Sequence, residues 1–261
     1  MRDPRHKDDI EFLRYYLKDD IRQEIYFEFT DQNVGIPMPP AQKYVPEDAT
    51  LIPLPKAADL SLGYDLSVRE AIEQRVSRRY FATKALSIEE LSYLLWTTAG
   101  IRHRTASGRI LRNVPSAGNR HSIETYLAVF NVACIEPGLY RYVPSEHALL
   151  ALENPEDIAK AVDDASLNQG FLSSSAVTFF WSTIPYRTEW RYAQASIKVI
   201  AMEVGHIAQN LYLAAETIAC GCSVNAAYDQ RKCDALFKLD GEDEFVIYMA
   251  ALGKAHQSKQ K

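Results

Sequence analysis

One run of 24 residues, from position 196 to 219, constrains the fold most. Its apolar side chains recur every three or four positions, which is the spacing of one helix face. These positions are Ile197, Ile200, Ala201, Val204, Ile207, Ala208, Leu211, Ala215 and Ile218. At about 1.5 Å per residue the helix would be about 36 Å long, the width of a small domain. Polar residues interrupt the run, so it predicts a helix of a soluble protein, and Gly221 is expected to end it.

The first 65 residues differ in composition from the rest of the chain. Aromatic residues are scattered among charges, and six prolines follow in quick succession: Pro37, Pro39, Pro40, Pro46, Pro53 and Pro55. Proline fixes φ and lacks an N–H donor, which excludes a long helix or a central strand here. We expect residues 1–65 to form an extended, proline-rich arm that lies over another surface. Residues 66–261 are expected to form a single domain.

Two capping boxes mark helix starts in this domain, since Ser67 and Ser87 are each followed three residues later by a glutamate. The first helix is expected to end near Ser77 and the second at Gly100. A third helix is expected over residues 155–165. Strands are expected over residues 123–130, 139–143, 148–152, 176–181 and 245–252. Long helices around well-separated strands predict an α+β domain rather than strict βαβ alternation.

Composition and charge argue against several classes of function. The chain has 261 residues, of which 47% are hydrophobic, so it can bury a large core. A net charge of −5 without a long basic run argues against nucleic-acid binding. The charged amino terminus resembles no secretion signal, and no stretch is apolar enough for a membrane span. We therefore expect a cytoplasmic protein without membrane association. The four cysteines lack zinc-ligand spacing, so we expect thiols and no metal.

Three polar clusters lie at the ends of predicted elements, where binding sites usually occur. In the first, Arg75, Ser77 and Arg79 alternate along the chain, so they would project from one side of an extended segment. Arginine donors match phosphate geometry, and this side could therefore bind an anion. The alternative is that these basic residues only complement the C-terminal end of a helix.

The second cluster is a loop of small residues, and the third is a small-residue segment. The second includes the run Pro115, Ser116, Ala117, Gly118 and Asn119, directly before a predicted strand. Small side chains let the backbone approach a flat ligand, and the Asn119 amide could donate and accept at a heteroaromatic edge. Residues 220–229 offer similar space after the long helix. A plain turn and a simple helix stop are the alternatives.

Taken in order, these segments resemble the nitroreductase superfamily, and most closely its SagB-type dehydrogenases, which oxidise azoline rings in ribosomal peptides. The resemblance covers roughly residues 67–254. Its motifs are Arg75–Phe81, Leu86–Trp96 followed by Ala99–Gly100, Pro115–Asn119, Pro137–Tyr142, Gly205–Ala215 and Ala251–Gly253. It implies an α+β fold with a central, mostly antiparallel sheet surrounded by long helices. It also implies an interlocked homodimer with one FMN at each of two interface sites.

The resemblance assigns roles to individual residues. Arg75, Val76 and Ser77 would lie at the phosphate and ribityl chain, and Arg79 at the N1–C2 edge of the flavin. Residues 115–119 (Pro115, Ser116, Ala117, Gly118 and Asn119) would reach the ring from the other subunit. The backbone near N5 and O4 would come from Gly221, Ser223, Val224, Asn225 and Ala226. Lys254 would contribute a cation to the phosphate.

Two departures from the family pattern bear on activity. Val76 replaces a common arginine and removes one phosphate contact. Arg191–Tyr192 stands where azoline dehydrogenases have a Lys–Tyr pair, and an arginine stays protonated and cannot act as a base. Tyr192 and Arg79 are therefore the catalytic candidates.

The function implied is that of an FMN-dependent oxidoreductase, with hydride transfer through flavin N5 and a modified peptide as substrate. Three alternatives stay open. One is a reductase of nitro or quinone compounds that takes electrons from NADH or NADPH. The second is a flavin-binding module without turnover that acts in a complex. The third is flavin fragmentation, as in the superfamily's benzimidazole-forming members.

Overall fold

The computed structural model describes residues 5–56, 59–60, 62, 66–106 and 108–256. Its helices are α1 (Arg5–Leu13), α2 (Val68–Gln74), α3 (Ile88–Ala99), α4 (Ile158–Ala165), α5 (Tyr186–Tyr192), α6 (Ser196–Thr217) and α7 (Gln230–Leu236). Its strands are β1 (Leu51–Pro53), β2 (Ile101–Arg104), β3 (Ile110–Arg112), β4 (Ile123–Val129), β5 (Gly138–Val143), β6 (Ala148–Ala151), β7 (Val177–Thr183), β8 (Cys220–Asn225) and β9 (Phe245–Lys254). Among these residues, no helix has both the length and the apolar character that a bilayer crossing requires.

Seven strands form one sheet in the order β1-β6-β5-β4-β7-β9-β8, and every neighbouring pair is antiparallel. The central strands β4 and β7 are buried along their whole length. Strands β5 and β6, expected over residues 139–143 and 148–152, pair with each other as a hairpin. Strands β2 and β3 pair with each other as a separate two-stranded sheet. The predicted α+β fold with an antiparallel sheet is confirmed.

Helices pack on both faces of the large sheet. Side chains alternate along a strand, so on β4 Ile123 and Leu127 join the core on one face, while Tyr126 and Ala128 join the core on the other. The first core includes the apolar faces of α3 and α6, and the second includes those of α4 and α7. The 22-residue α6 packs along the first core, which includes its residues from Ile200 to Ala215.

The ends of two helices differ from expectation. Helix α2 ends at Gln74, before the expected Ser77, because the chain there leaves the helix and runs beside β8. Helix α6 ends at Thr217, and Gly221 does not end it but lies inside β8. The small-residue segment after α6 is a strand because it pairs with β9. The same pairing carries β9 beyond the expected end at residue 252 to Lys254.

The arm is not extended throughout. Helix α1 is followed by short 3-10 turns at Arg14–Leu17, Asp20–Glu24 and Phe27–Phe29, all before the prolines. The arm then lies on its own chain: the Gln32 N–H donates to the Trp190 carbonyl (3.0 Å), and the Trp190 indole donates to the Ile36 carbonyl (2.9 Å). Strand β1 pairs with β6 at the edge of the large sheet, a position that tolerates Pro53.

Candidate functional site

The first predicted cluster, residues 75–79, is an extended segment anchored to β8. The Arg78 N–H donates to the Cys222 carbonyl at 2.9 Å, and Ser77 forms a parallel bridge with Cys222. Gly221 allows this close approach, since a Cβ there would lie 3.0 Å from the Arg78 Cβ. The glycine that the sequence assigned to a ligand is thus needed by the chain itself.

Tyr212 of α6 joins this segment to β8. Its hydroxyl lies 2.9 Å from the Ser77 hydroxyl and accepts a hydrogen bond from the Val224 N–H at 3.0 Å. The Arg75 guanidinium lies 5.2 Å from the centre of the Tyr212 ring. Arg75 and Ser77 therefore both contact Tyr212 and lie on the same side of the segment, as their alternate positions in the sequence predict.

The basic residues of the segment divide into two kinds. Arg78 is paired with the largely buried Glu216. Arg75 and Arg79 make ring contacts instead, and the Arg79 guanidinium lies 5.8 Å from the centre of the Phe171 ring. In the part of the chain that the structure describes, neither has a carboxylate partner. Ser77 is exposed between these two residues in the sequence, and guanidinium donors without a carboxylate partner in the described residues suit an anionic group.

The second cluster, residues 115–119, packs against the end of α5. Gly118 has φ of +59°, and a Cβ there would lie 2.7 Å from the Arg191 Cδ and from the Tyr192 hydroxyl oxygen. The sequence-predicted Tyr192 and this loop are thus neighbours. The Asn119 amide is already used, since it donates to the Ile110 carbonyl (2.8 Å) and lies 2.9 Å from the His121 Nε2.

A buried carboxyl group supports the second cluster from below. Glu203 of α6 accepts hydrogen bonds from the Ser116 hydroxyl at 2.9 Å and from the Ser122 hydroxyl at 3.2 Å. Burial raises the pKa of Glu203. Burial also lowers the pKa of His121 to about 3, with the nearby Arg112 charge as the next cause. A neutral imidazole and a carboxyl group with a raised pKa therefore lie under the loop.

The remaining predicted residues differ in accessibility. Ser223 is fully buried, and its hydroxyl has no hydrogen-bond partner in the described structure. Val224 is half-buried, Ala226 is exposed, and the Asn225 amide donates to the Ala227 carbonyl at 2.8 Å. Lys254 is buried and forms an ion pair with Glu90, so its charge is already compensated within the chain.

One chain does not bring the two clusters together. Glu203, under the second cluster, and Tyr212, at the first, are nine residues apart on α6. At 1.5 Å per residue this separates them by about 13.5 Å along the helix axis. The two clusters therefore lie at different places along α6 within one chain.

Tyr212, Glu203 and Phe171 were not among the site residues predicted from the sequence. The first two had a detectable signal, because a glutamate and a hydroxyl-bearing ring on the apolar face of a long helix are both unusual there. Phe171 had none, since its position beside Arg79 depends on a loop that only the tertiary fold brings there.

Two curated proteins are similar to this chain. The nitroreductase-type protein MJ1384 of Methanocaldococcus jannaschii is 30% identical over 166 residues, which cover 63% of this chain and 81% of that protein. The trifolitoxin-processing protein TfxB of Rhizobium leguminosarum bv. trifolii is 32% identical over 140 residues. That match covers 52% of this chain but only 38% of TfxB.

Solved structures share the fold. A nitroreductase-type protein of Ralstonia eutropha is 25% identical, with a TM-score of 0.64, over 85% of this chain and 100% of its own. The E. coli microcin synthetase McbBCD complex, solved with truncated pro-MccB17 bound, contains a chain that is 20% identical, with a TM-score of 0.59, over 76% of each chain. At that identity the likeness shows the fold alone.

The family model described as the nitroreductase family matches residues 72–254. This range contains the anchored arginine segment, the 115–119 loop, α6 and the whole of β8 and β9. The similarity to TfxB supports the peptide-modifying branch that the sequence motifs indicate. The chain belongs to the nitroreductase family.

Proposed function

We propose that this chain is an FMN-dependent oxidoreductase that transfers hydride through flavin N5 and acts on a modified peptide. One observation carries the proposal: an anchored segment holds Arg75 and Arg79 with guanidinium donors that no carboxylate in the described residues neutralises. Membership of the nitroreductase family supports the cofactor. Similarity to TfxB, a trifolitoxin-processing protein, supports the substrate class.

The residues of the first cluster fit an anionic flavin nucleotide. Arg75 and Ser77 both contact Tyr212 and offer hydrogen-bond donors, and the paired N–H groups of a guanidinium match the geometry of phosphate oxygens. Ser223 adds a buried hydroxyl without a partner in the described structure, which is an unusual feature for a buried polar atom. Val76 contributes no charge. Lys254 fits less well as a phosphate ligand, because Glu90 already neutralises it.

When bound, FMN would supply the hydride-transferring centre, while the protein supplies binding, orientation and electrostatics. In this proposal Arg75 and Ser77 hold the phosphate and ribityl chain. Arg79 keeps a fixed positive charge at the N1–C2 edge, where a preorganised cation lowers the cost of developing negative charge. The backbone from Gly221 to Ala226 faces the N5 edge, and residues 115–119 of the partner subunit cover the ring.

Tyr192 is the proposed proton-handling residue. Its hydroxyl lies beside Gly118, next to the loop that covers the ring, whereas the neighbouring Arg191 cannot release a proton at ordinary pH. Ala193, the next residue, has φ of +45° and ψ of −130°, a conformation that favours glycine. Such strain often accompanies functional positions, because the surrounding structure must hold it in place.

The proposed site needs two copies of the chain, because each chain alone separates the two clusters along α6. The exposed side of α6 suits a second copy: Ile197 and Met202 expose 51% and 54% of their surface. A Cβ at Gly205 on the same side would meet nothing within 4 Å, so a second backbone can approach. A cavity of about 430 Å³ adjoins this side, lined mainly by apolar residues that include Ile197, Ile200, Val204, Phe245 and Ile247.

The cofactor is tested by purifying the protein and identifying the flavin released on denaturation. We expect a yellow protein that releases FMN, and we expect the double variant Arg75→Ala, Arg79→Ala to lose it. The exposed Arg69 and Arg231 give a matched control, since their double replacement by alanine removes the same charge elsewhere. A folded, colourless protein that FMN cannot reconstitute overturns the proposal.

The substrate class is tested separately. Anaerobic mixing with NADH or NADPH that bleaches the flavin, without turnover of an azoline peptide, supports a nitro or quinone reductase instead. Oxidation of the azoline peptide with concurrent flavin bleaching supports the proposal. Neither reaction in an FMN-loaded dimer identifies a flavin-binding module that acts only in a complex.

A further inference from the structure

Positive charge is concentrated in one part of this acidic chain. The net charge of the chain is −5, yet residues 91–123 contain no aspartate or glutamate. The same range contains five arginines: Arg102, Arg104, Arg109, Arg112 and Arg120. Arg112 is buried and donates to the carbonyls of Ala41 (2.7 Å) and Ile123 (3.2 Å). In the described residues, no carboxylate pairs with the other four.

Three of these arginines line one cavity of about 310 Å³, called the basic cavity below: Arg104, Arg109 and Arg120. The arm closes one side with residues 38–42, and Asn119 lies on another. None of its described lining residues is acidic. Converging like charges without counter-charges destabilise a fold, so a bound anion would relieve this repulsion.

Arg120 is a fixed rather than a mobile member of the basic cavity. It is only 6% exposed, its guanidinium lies 5.1 Å from the centre of the Trp190 ring, and it donates to the carbonyls of Gly118 and Asn119. Burial lowers the pKa of Arg120, and the charges of Arg191 and Arg109 lower it further. Packing therefore holds the Arg120 charge near those of Arg109 and Arg191, whereas a solvated surface arginine would be free to move away.

A free strand edge lies beside the basic cavity. In the described structure β2 pairs only with β3, and the far edge of β3 is capped where the Asn119 amide donates to the Ile110 carbonyl. The backbone of β2 can therefore accept an added strand, and Arg102 and Arg104 lie on that strand, two residues apart. Main-chain bonds to a sheet edge, with side-chain contacts at alternate positions, are a common way to bind extended peptides.

We propose that the basic cavity and the free edge of β2 bind an acidic segment of the peptide substrate in extended form. This inference rests on the proposed peptide-modifying function. Asn119 belongs both to the basic cavity and to the loop proposed to cover the flavin, so a peptide bound here would lead directly to the reacting centre. Carboxylate side chains pair with the arginine forks.

The test uses the purified full chain and a fluorescent peptide that alternates glutamate and glycine, with a lysine–glycine peptide as the opposite-charge probe. We expect the acidic peptide to bind, and the double variant Arg104→Glu, Arg109→Glu to weaken its affinity at least tenfold. The exposed Lys84 and Arg231 provide a matched control, because their double change to glutamate alters net charge equally. The control variant is expected to bind as the wild type does.

Equal binding of the acidic peptide by the wild type and the Arg104/Arg109 variant overturns the inference. These arginines would then only prevent other strands from pairing with the exposed edge of β2. Displacement of the peptide by pyrophosphate at equal concentration also overturns it, since the site would then recognise phosphate. Flavin content is measured on the same samples. Loss of peptide binding in a variant that retains FMN separates this inference from the cofactor proposal, which fails only if FMN is not bound.

Discussion

Arg79 is the residue on which the proposed redox role most depends. Its guanidinium lies over Phe171 without a carboxylate partner in the described residues, so its charge is available to a ligand. We expect Arg79→Ala to slow flavin reduction about 100-fold, because removing one preorganised group at a developing charge has effects of that size. Single-turnover reduction of the FMN-loaded variant measures this. An unchanged rate would exclude the role, and Arg69→Ala, at an exposed arginine on α2, is the control.

His121 gives the protein a specific weakness toward acid. Its pKa is lowered to about 3 in the folded chain, chiefly by burial, against about 6.5 when unfolded. As pH falls from about 6.5 toward 3, His121 therefore binds a proton in the unfolded chain but not in the folded chain. This single group then reduces the free energy of unfolding by about 1 kcal/mol per pH unit.

We expect His121→Gln, which cannot titrate, to lose less stability than the wild type between pH 6.5 and pH 4. Urea unfolding at several pH values measures the difference. His103→Gln on the exposed strand β2 is the control and is expected to follow the wild type. Identical acid profiles for His121→Gln and the wild type would contradict the prediction.

At the scale of elements, β8 is held between β9 and the arginine segment. A Cβ at Gly221 would approach the Arg78 Cβ to 3.0 Å, so we expect Gly221→Ala to reduce the free energy of unfolding by about 1–3 kcal/mol. Ser223→Ala on the same strand removes a buried hydroxyl without a partner in the described structure and should be neutral or stabilising. Denaturant unfolding of both variants without flavin measures the two free energies of unfolding. An equal decrease in both variants would refute the role assigned to Gly221 packing.

At the scale of the whole molecule, the described chain exposes more apolar surface than a lone monomer favours. Ten of its eighteen exposed large hydrophobic residues belong to the arm, between Ile10 and Tyr44, and two more lie on α6. Exposed apolar area of this kind is typical of interaction surfaces. We propose that a second copy covers α6 and meets the arm, which would account for both groups.

We expect a dimer in sedimentation at micromolar concentration, and we expect Met202→Asp to dissociate it and release FMN. A charge buried without a partner at an interface costs several kcal/mol, so the effect should be complete. Leu167→Asp is matched, since Leu167 is also 54% exposed but follows α4 in the chain and is not part of α6. A stable wild-type monomer of 29.5 kDa that retains FMN contradicts the shared-site proposal.

The sequence by itself determined the elements whose signals are local. The capping boxes at Ser67 and Ser87 are present, and α6 begins at Ser196 as its apolar spacing predicts. The ordered motifs identified the nitroreductase family, which the family match confirms. Helical periodicity, caps and hairpins depend on residues close in sequence, and a single chain displays them directly.

Only the tertiary structure decided the rest. That residues 220–225 form a strand depends on pairing with β9, and that Gly221 meets Arg78 depends on the arginine segment lying across it. The same long-range packing paired Lys254 with Glu90 and set Glu203 beneath the 115–119 loop. Contacts between residues far apart in sequence leave no periodic signal, because each partner is chosen by the geometry of the folded chain and not by its neighbours.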